Sequence, residues 1–188
     1  MSSISNIEQS NIVRLSKLAA FVAASVAIIT ISAKTTVPFF PVPMTMQVAA
    51  ILLVASIGGM RMGVAAVAAY MVAGALGYPV FAGTPEKGIG LAYMMGPTGG
   101  YLAGFMVAAI IVAWATDRFG KKAAALAMLL GLAVIYALGL AWLARFVPSD
   151  KLLAYGMTPF LLGDIVKVAL AAALTFAAPK PLTNWLKN

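Results

Sequence analysis

The strongest constraint on the fold is a series of long apolar runs, the last of which carries two charged residues. Residues 158–178 read TPFLLGDIVKVALAAALTFAA, so a helix over this run would hold Asp164 and Lys167 three positions apart. Side chains with that spacing leave an α-helix from the same face. A charge in the hydrocarbon region costs at least ~2.5 kcal/mol, so such residues normally face a bundle interior or an aqueous cavity. The pattern predicts a polar site within a membrane protein, with a purely structural ion pair as the alternative.

The composition is typical of a membrane protein, and the chain lacks side chains that many enzymes use for catalysis. Of the 188 residues, 63% are hydrophobic and 10% are charged, whereas a soluble domain has about 45–50% and about 25%. The chain contains no Cys and no His, which excludes disulfides, thiolate or imidazole metal ligands and imidazole acid–base catalysis. The Lys and Arg residues behind the net charge of +8 stand singly or in pairs beside apolar runs. We therefore expect no catalytic residues, cofactor, metal or nucleic-acid partner.

Six apolar runs are predicted to span the membrane as helices of a single domain over residues 1–188. The first run lacks a small-residue cleavage site and is interpreted as an uncleaved helix. The second and third runs are joined tightly at Gly58-Gly59. In order, the predicted helices cover residues 15–31, 46–57, 62–76, 98–115, 123–146 and 158–178.

The basic residues predict the orientation of these spans. With six spans both termini share one side, and an excess of Lys and Arg marks the cytoplasmic side. Eight basic residues fall on the side of the termini, namely Arg14, Lys17, Arg61, Arg118, Lys121, Lys122, Lys180 and Lys187. Four fall on the other side, namely Lys34, Lys87, Arg145 and Lys151. This bias predicts cytoplasmic termini, and Asp164 then lies in the outer half of the membrane, beneath the external loops.

Two segments are predicted to be irregular and to border a ligand pocket. Residues 35–45, TTVPFFPVPMT, hold three prolines in six residues, so they cannot form a regular helix. Irregular backbone at membrane depth is tolerated only where protein or a cavity surrounds it. Residues 77–100 are rich in Gly, Pro and aromatic residues, as functional loops often are. Gly83 and Gly88 have phosphate-loop spacing, but Ile89 stands where the lysine belongs, so nucleotide binding is rejected.

Small residues form a ridge on the first predicted helix. Ala19, Ala23 and Ala27 recur at every fourth position, and Ala20 and Ala24 widen the stripe. Such a ridge allows another helix to approach closely. A packing seam inside this chain is the alternative reading.

Four motifs, taken together and in order, resemble the BioY family, the biotin-binding S components of energy-coupling factor (ECF) transporters. They are residues 40–47 (FPVPMTMQ), 77–83 (GYPVFAG), 96–105 (GPTGGYLAGF) and 159–167 (PFLLGDIVK). The resemblance implies a six-helix protein of a bacterial or archaeal cell membrane that captures biotin in an external pocket. It also implies a transmembrane coupling subunit and two cytoplasmic ATPases as partners, with Ala19, Ala23 and Ala27 in contact with the coupling subunit.

The same resemblance implies the ligand contacts. It indicates Asp164 and Lys167 first, then Thr45, Gln47, Phe81 and Gly83, and finally Tyr101. Chemically, Asp164 would accept from the ureido N–H groups of biotin, and aromatic side chains would sandwich its rings. Three other functions stay open, namely an S component for another vitamin, a self-contained proton-coupled transporter and an intramembrane enzyme.

Overall fold

The computed structural model describes residues 2–37 and 40–179, with side chains described from residue 11 onwards. The described residues form seven α-helices, in order α1 (Ser2–Lys34), α2 (Gln47–Ala75), α3 (Gly90–Met94), α4 (Gly99–Phe119), α5 (Ala124–Leu143), α6 (Leu152–Gly156) and α7 (Thr158–Ala177). Two 3₁₀ turns, Lys121–Ala123 and Ser149–Lys151, precede α5 and α6. Between α1 and α2, strands β1 (Thr36–Val37) and β2 (Met44–Thr45) form a short antiparallel ladder.

The long helices have the length and composition of membrane spans. Within the described part of the chain, five helices are long and apolar enough to cross a membrane, with mean hydropathies between 1.7 and 2.3. This confirms the prediction of an all-helical, multi-pass membrane protein. The expected roles of Pro38, Phe39, Lys180 and Lys187 lie outside the described residues.

Helix α1 is longer than its apolar run. The predicted start at residue 15 was wrong, because the helix begins at Ser2 and continues to Lys34. No Gly or Pro occurs in residues 2–34, so nothing in this stretch interrupts the backbone hydrogen bonds. The hydropathy pattern therefore located the apolar part of the helix, but it did not give the position where the helix begins.

Helix α2 reverses direction at Gly59, which has non-helical dihedral angles of φ 63° and ψ −164°. The reversal brings Gln47 and Tyr70 together, with 2.7 Å between Gln47 Nε2 and the Tyr70 hydroxyl. In a straight helix these residues would lie about 34 Å apart. The two halves pack closely at Gly63, where an added Cβ would lie 2.8 Å from the Val54 carbonyl oxygen. The element is therefore a helical hairpin, with its turn where the sequence has Gly58-Gly59.

Asp117, near the end of α4, holds this turn in place. Its Oδ2 accepts a hydrogen bond of 2.8 Å from the backbone N–H of Met60, which begins the second half of α2. A carboxylate at a helix N-terminus satisfies a free N–H and complements the helix dipole. The turn has no room for a side chain, because a Cβ on Gly59 would lie 2.5 Å from Asp117 Oδ1.

We expect Gly59→Ala to lower the melting temperature of the purified protein markedly. Its dihedral angles belong to a region that is essentially restricted to glycine, which costs ~1–3 kcal/mol, and the methyl group would also collide with Asp117. Gly120→Ala is the matched control, because Gly120 has similar angles (φ 77°, ψ −177°) and no atom within 4 Å of its added Cβ. Equal losses of stability in the two variants would contradict the role of Asp117.

The core forms where α4 packs against α2 and α5, and where α7 packs against α2 and α5. Close approach of α4 and α5 depends on Gly100 and Gly104. A Cβ on Gly104 would lie 2.7 Å from the Cα of Ile135, and one on Gly100 would overlap the Leu138 carbonyl oxygen. Gly100 and Gly104 thus lie against α5 and set the spacing of the two helices that enclose the site described below.

Helix α1 lies on the outside of the bundle, and its alanine ridge faces away from the other helices. Ala19, Ala23 and Ala27 are exposed, as are Ala20 and Ala24. The inward face instead carries Ser25, Ile29 and Ala33, all buried. The ridge is therefore not a packing seam within this chain, so that alternative was wrong.

Candidate ligand-binding site

Asp164 and Lys167 form a buried ion pair on α7. Lys167 Nζ lies 2.6 Å from Asp164 Oδ1, and the two residues are 6% and 5% exposed. Their three-residue spacing places both side chains on the helix face that looks into the bundle. The structure therefore brings together the two residues that the sequence singled out, in a position where each would be costly to leave unpaired.

Tyr136 of α5 completes this cluster. Its hydroxyl donates a hydrogen bond of 2.6 Å to Asp164 Oδ2, while Lys167 donates to Oδ1. A carboxylate offers about four lone-pair positions, and an ammonium group offers three donors. Asp164 can therefore accept further hydrogen bonds, and Lys167 can donate more than one.

A cavity lies beside this ion pair, between the start of α2, the start of α4, and helices α5 and α7. The space between its atoms amounts to about 560 Å³, which includes the solvent-filled mouth. Its wall is mostly apolar and aromatic, with a few polar groups. The lining residues are Val42, Pro43, Met44, Thr45, Gln47, Val48, Ala82, Tyr93, Thr98, Tyr101, Leu102, Phe105, Ile135, Tyr136, Phe160, Asp164 and Lys167.

Thr45 and Gln47 lie at the end of the β ladder, where the proline-rich segment enters α2. The Thr45 hydroxyl donates to Gln47 Oε1 at 3.1 Å and accepts from the Gln47 backbone N–H at 3.2 Å. Gln47 is 4% exposed, and its Nε2 donates to Tyr70. The segment around Val42–Met44 forms the adjoining wall.

Tyr101 lines the cavity, but its hydroxyl points to the neighbouring helix. It donates a hydrogen bond of 2.7 Å to the carbonyl of Gly156, the last residue of α6. The ring therefore offers an aromatic surface to the cavity, and the hydroxyl ties α4 to the connection before α7.

Phe81 and Gly83 are not among the residues that line the cavity. Phe81 is fully buried and stacks on Tyr93 with 5.1 Å between ring centroids. Gly83 lies in the turn formed by residues 81–84, and its φ of 70° suits glycine. A Cβ at Gly83 would meet the aliphatic stem of Lys87. The two residues thus support the wall from behind.

The 81–84 turn is fixed from two sides. From α1, Lys34 Nζ donates to the carbonyls of Phe81 and Thr84 at 3.1 and 2.6 Å. From α3, the Tyr93 hydroxyl donates to the Ala82 carbonyl at 2.7 Å. Burial raises the pKa of Tyr93 above its usual value of 10.0, so this hydroxyl stays protonated and remains a donor.

Sequence reasoning missed Tyr136, Tyr93 and Phe160. Tyr136 had a usable signal, because it is the one hydroxyl-bearing residue in the apolar run of α5, Ala124–Leu143. Tyr93 and Phe160 are aromatic residues among many, and nothing in their local sequence separates them from core residues. Among the described residues, no group of three His, Cys, Asp or Glu side chains could hold a metal ion.

Comparison with known proteins places this chain in a family. The model of the BioY family matches residues 5–184. A Pyrococcus horikoshii protein described as a probable biotin transporter BioY is 39% identical over 158 residues, which are 84% of this chain and 93% of that relative. The biotin transporter BioY of Thermotoga maritima is 38% identical over 157 residues, 82% of this chain and 90% of the relative.

A solved structure has the same fold. It is the crystal structure of the S-component for biotin from an ECF-type ABC transporter, with a TM-score of 0.74 over 85% of this chain and 88% of that chain. Its sequence identity is 23%, so the likeness shows the fold alone. The family model covers nearly the whole chain, and the two relatives are matched over most of their own length. The chain therefore belongs to the BioY family.

Proposed function

We propose that this chain captures biotin in the cavity beside Asp164, as the membrane-embedded substrate-binding component of an ECF-type transporter. The observation that carries the proposal is the buried Asp164–Lys167 pair, which faces an aromatic-lined cavity and keeps hydrogen-bonding capacity. A pair that served only packing would need no cavity beside it. The names of the matched relatives supply biotin as the ligand.

The chemistry of biotin suits this wall. Its ureido ring has two N–H donors and one carbonyl, and Asp164 accepts while Lys167 donates. In the bound state Asp164 accepts a hydrogen bond from a ureido N–H, and Lys167 donates a hydrogen bond to an acceptor of the ligand. The rings of Tyr93, Tyr101 and Phe160 provide apolar surface for the bicyclic part of the ligand.

The proposed direct contacts to biotin differ from those expected from the sequence, because not all of the expected residues line the cavity. Thr45, Gln47 and Tyr101 remain direct contacts, because their side chains line the cavity. Tyr136 joins them as the partner of Asp164. Phe81 and Gly83 act indirectly, since Phe81 backs the Tyr93 ring and Gly83 shapes the turn that presents Ala82.

A vitamin panel tests the proposed function. We expect purified protein to bind biotin with high affinity and to be stabilised by it, because a ligand that binds only the folded state raises the melting temperature. Thiamine, riboflavin, folate and pantothenate should cause no comparable shift. Calorimetry would then give the affinity. Stabilisation by another vitamin, with none by biotin, would assign the chain to a different substrate.

The chain crosses the membrane six times under this proposal, because the hairpin in α2 contributes two spans. Both termini then lie in the cytoplasm, and the 81–84 turn and the cavity mouth lie outside. The basic bias supports this orientation, and Arg61, Arg118 and Lys122, all exposed, gather at the end opposite the cavity.

Single cysteines test this orientation directly, since the chain has none of its own. A cysteine at Glu86 or Lys87, both exposed, should react with an impermeant maleimide added outside intact cells. A cysteine at Lys122 should react only after the membrane is opened. Labelling of Glu86→Cys solely from the cytoplasmic side would reverse the proposed topology.

The energy-supplying partners are also part of the proposal. An S component of this kind works with a transmembrane coupling subunit and two cytoplasmic ATPases, and the exposed alanine ridge of α1 is the contact surface for the coupling subunit. Its exposure supports this role, because a smooth stripe of small residues lets a second helix approach closely.

A further inference from the structure

We propose that Tyr70 is a positioning residue of the ligand site, which holds the side-chain amide of Gln47 in one orientation. The inference rests on the proposed function, because it assumes that Gln47 meets the ligand. Tyr70 itself is fully buried in the second half of α2 and does not line the cavity.

The direction of the hydrogen bonds follows from the groups involved. The Tyr70 hydroxyl lies 3.1 Å from the Val80 carbonyl oxygen, which can only accept, so the single proton of the phenol goes there. The phenol oxygen is left to accept from Gln47, at 2.7 Å. The amide must therefore turn its NH₂ group, and not its oxygen, towards Tyr70.

Thr45 fixes the other end of the same amide. Its hydroxyl accepts from the Gln47 backbone N–H and donates its own proton to Gln47 Oε1 at 3.1 Å. With Nε2 held by Tyr70 and Oε1 held by Thr45, the Gln47 amide retains one N–H and one lone pair. Because Gln47 lines the cavity, a bound ligand can form hydrogen bonds with these two groups. Both residues thus prepare Gln47 in advance for binding.

Reversing the amide would break this arrangement. The Thr45 hydroxyl proton would lose its acceptor, Gln47 Oε1, and the reversed amide oxygen would draw the Tyr70 proton away from Val80. Gln47 is 4% exposed, so water does not compensate for these losses. A preorganised amide avoids the entropy cost of ordering it when the ligand binds.

The test is a double-mutant cycle on biotin affinity with Tyr70→Phe and the nearly isosteric Gln47→Met. Tyr70→Phe keeps the ring and removes the hydroxyl, so we expect binding about three- to tenfold weaker. In the Gln47→Met background the same change should alter affinity by less than about twofold, because the group that Tyr70 positions is gone.

Lys34→Met is the matched control, since Lys34 supports the 81–84 turn from α1 and does not bond to Gln47. Its effect on affinity should be the same in both backgrounds. If Tyr70→Phe also had equal effects in both, Tyr70 would act on the turn and the proposal would fail. An unchanged affinity of Tyr70→Phe would overturn it as well.

A second cycle protects the test if Gln47→Met gives little folded protein. Thr45→Ala releases the opposite end of the amide, so Tyr70→Phe should cost less in that background than in the wild type. Full, independent effects of the two changes would contradict the proposal. Absence of biotin binding by the wild type would instead refute the proposed function, so the two failures are distinguishable.

Discussion

Asp164→Asn is expected to weaken biotin binding by roughly ten- to more than a hundredfold while the protein still folds. The substitution keeps the shape of the side chain but replaces an acceptor-only group with one that is half donor. One amide N–H would then face the N–H of the ligand. Loss of a charge-assisted hydrogen bond of ~1.5–3 kcal/mol corresponds to this range of affinity.

The geometry of the cluster sharpens this expectation. Lys167 and Tyr136 donate to different oxygens of Asp164, so an amide oxygen can serve only one of them. Removing the charge also leaves Lys167 buried without a counter-charge, and breaking a buried pair costs ~3–5 kcal/mol. Biotin affinity by calorimetry and the ligand-free melting temperature must therefore be measured on the same purified variant.

The double variant Asp164→Asn/Lys167→Met separates binding from stability. Replacing both partners of a buried ion pair by uncharged groups is often neutral or stabilising, so the double variant should recover melting temperature. It should not recover biotin affinity, because the ligand still lacks its acceptor. Near-native affinity in the single variant, together with a large loss of stability, would instead identify the pair as structural.

The sequence was sufficient to find the ion pair but not its third member. Asp164 and Lys167 are three residues apart on one helix, so helical geometry alone predicted that they share a face. Tyr136 lies 28 residues earlier on another helix, and its contact depends on how α5 and α7 are rotated about their axes. Packing of whole helices sets that rotation, and no local pattern in the sequence encodes it.

The expected contact at Phe81 shows that a sequence motif can identify the segment that borders a cavity without identifying which side chain faces it. The segment 77–83 does border the cavity, through Ala82. Which residue of the turn faces inward depends on the backbone between residues 80 and 84, where Lys34, Tyr70 and Tyr93 each bind a carbonyl. Lys34 lies 47 residues from Phe81, and Tyr70 and Tyr93 lie on helices that precede and follow the turn, so the orientation of Phe81 depends on tertiary packing and could not be read locally.

Chain reversal was predictable because glycine leaves a local signature. Gly58-Gly59 interrupts an apolar run, and the structure turns there. The β ladder was not predicted, since strands of two residues beside prolines have no period to detect. The alanine ridge on α1 was predicted in part. Its four-residue spacing was evident from the sequence, but only the packing of the helices showed that it faces outward.

Ala23→Trp is expected to abolish partner-dependent biotin uptake while leaving biotin affinity nearly unchanged. Ala23 is exposed on α1, so an indole there should not disturb the packing of this chain. It would separate two helices that need close contact, because such interfaces depend on small residues. Uptake in cells that carry the ECF coupling module, co-purification with that module and calorimetry on the isolated protein are the three measurements.

Leu130→Trp on α5 is the matched control, because it places the same indole at another exposed position, 54% accessible, on a helix that packs against α4 and α7. This variant should retain uptake and co-purify with the coupling module. Uptake preserved in Ala23→Trp would show that the ridge is not the contact surface. If affinity fell while co-purification persisted, the ridge would act on ligand capture and not on assembly with the coupling module.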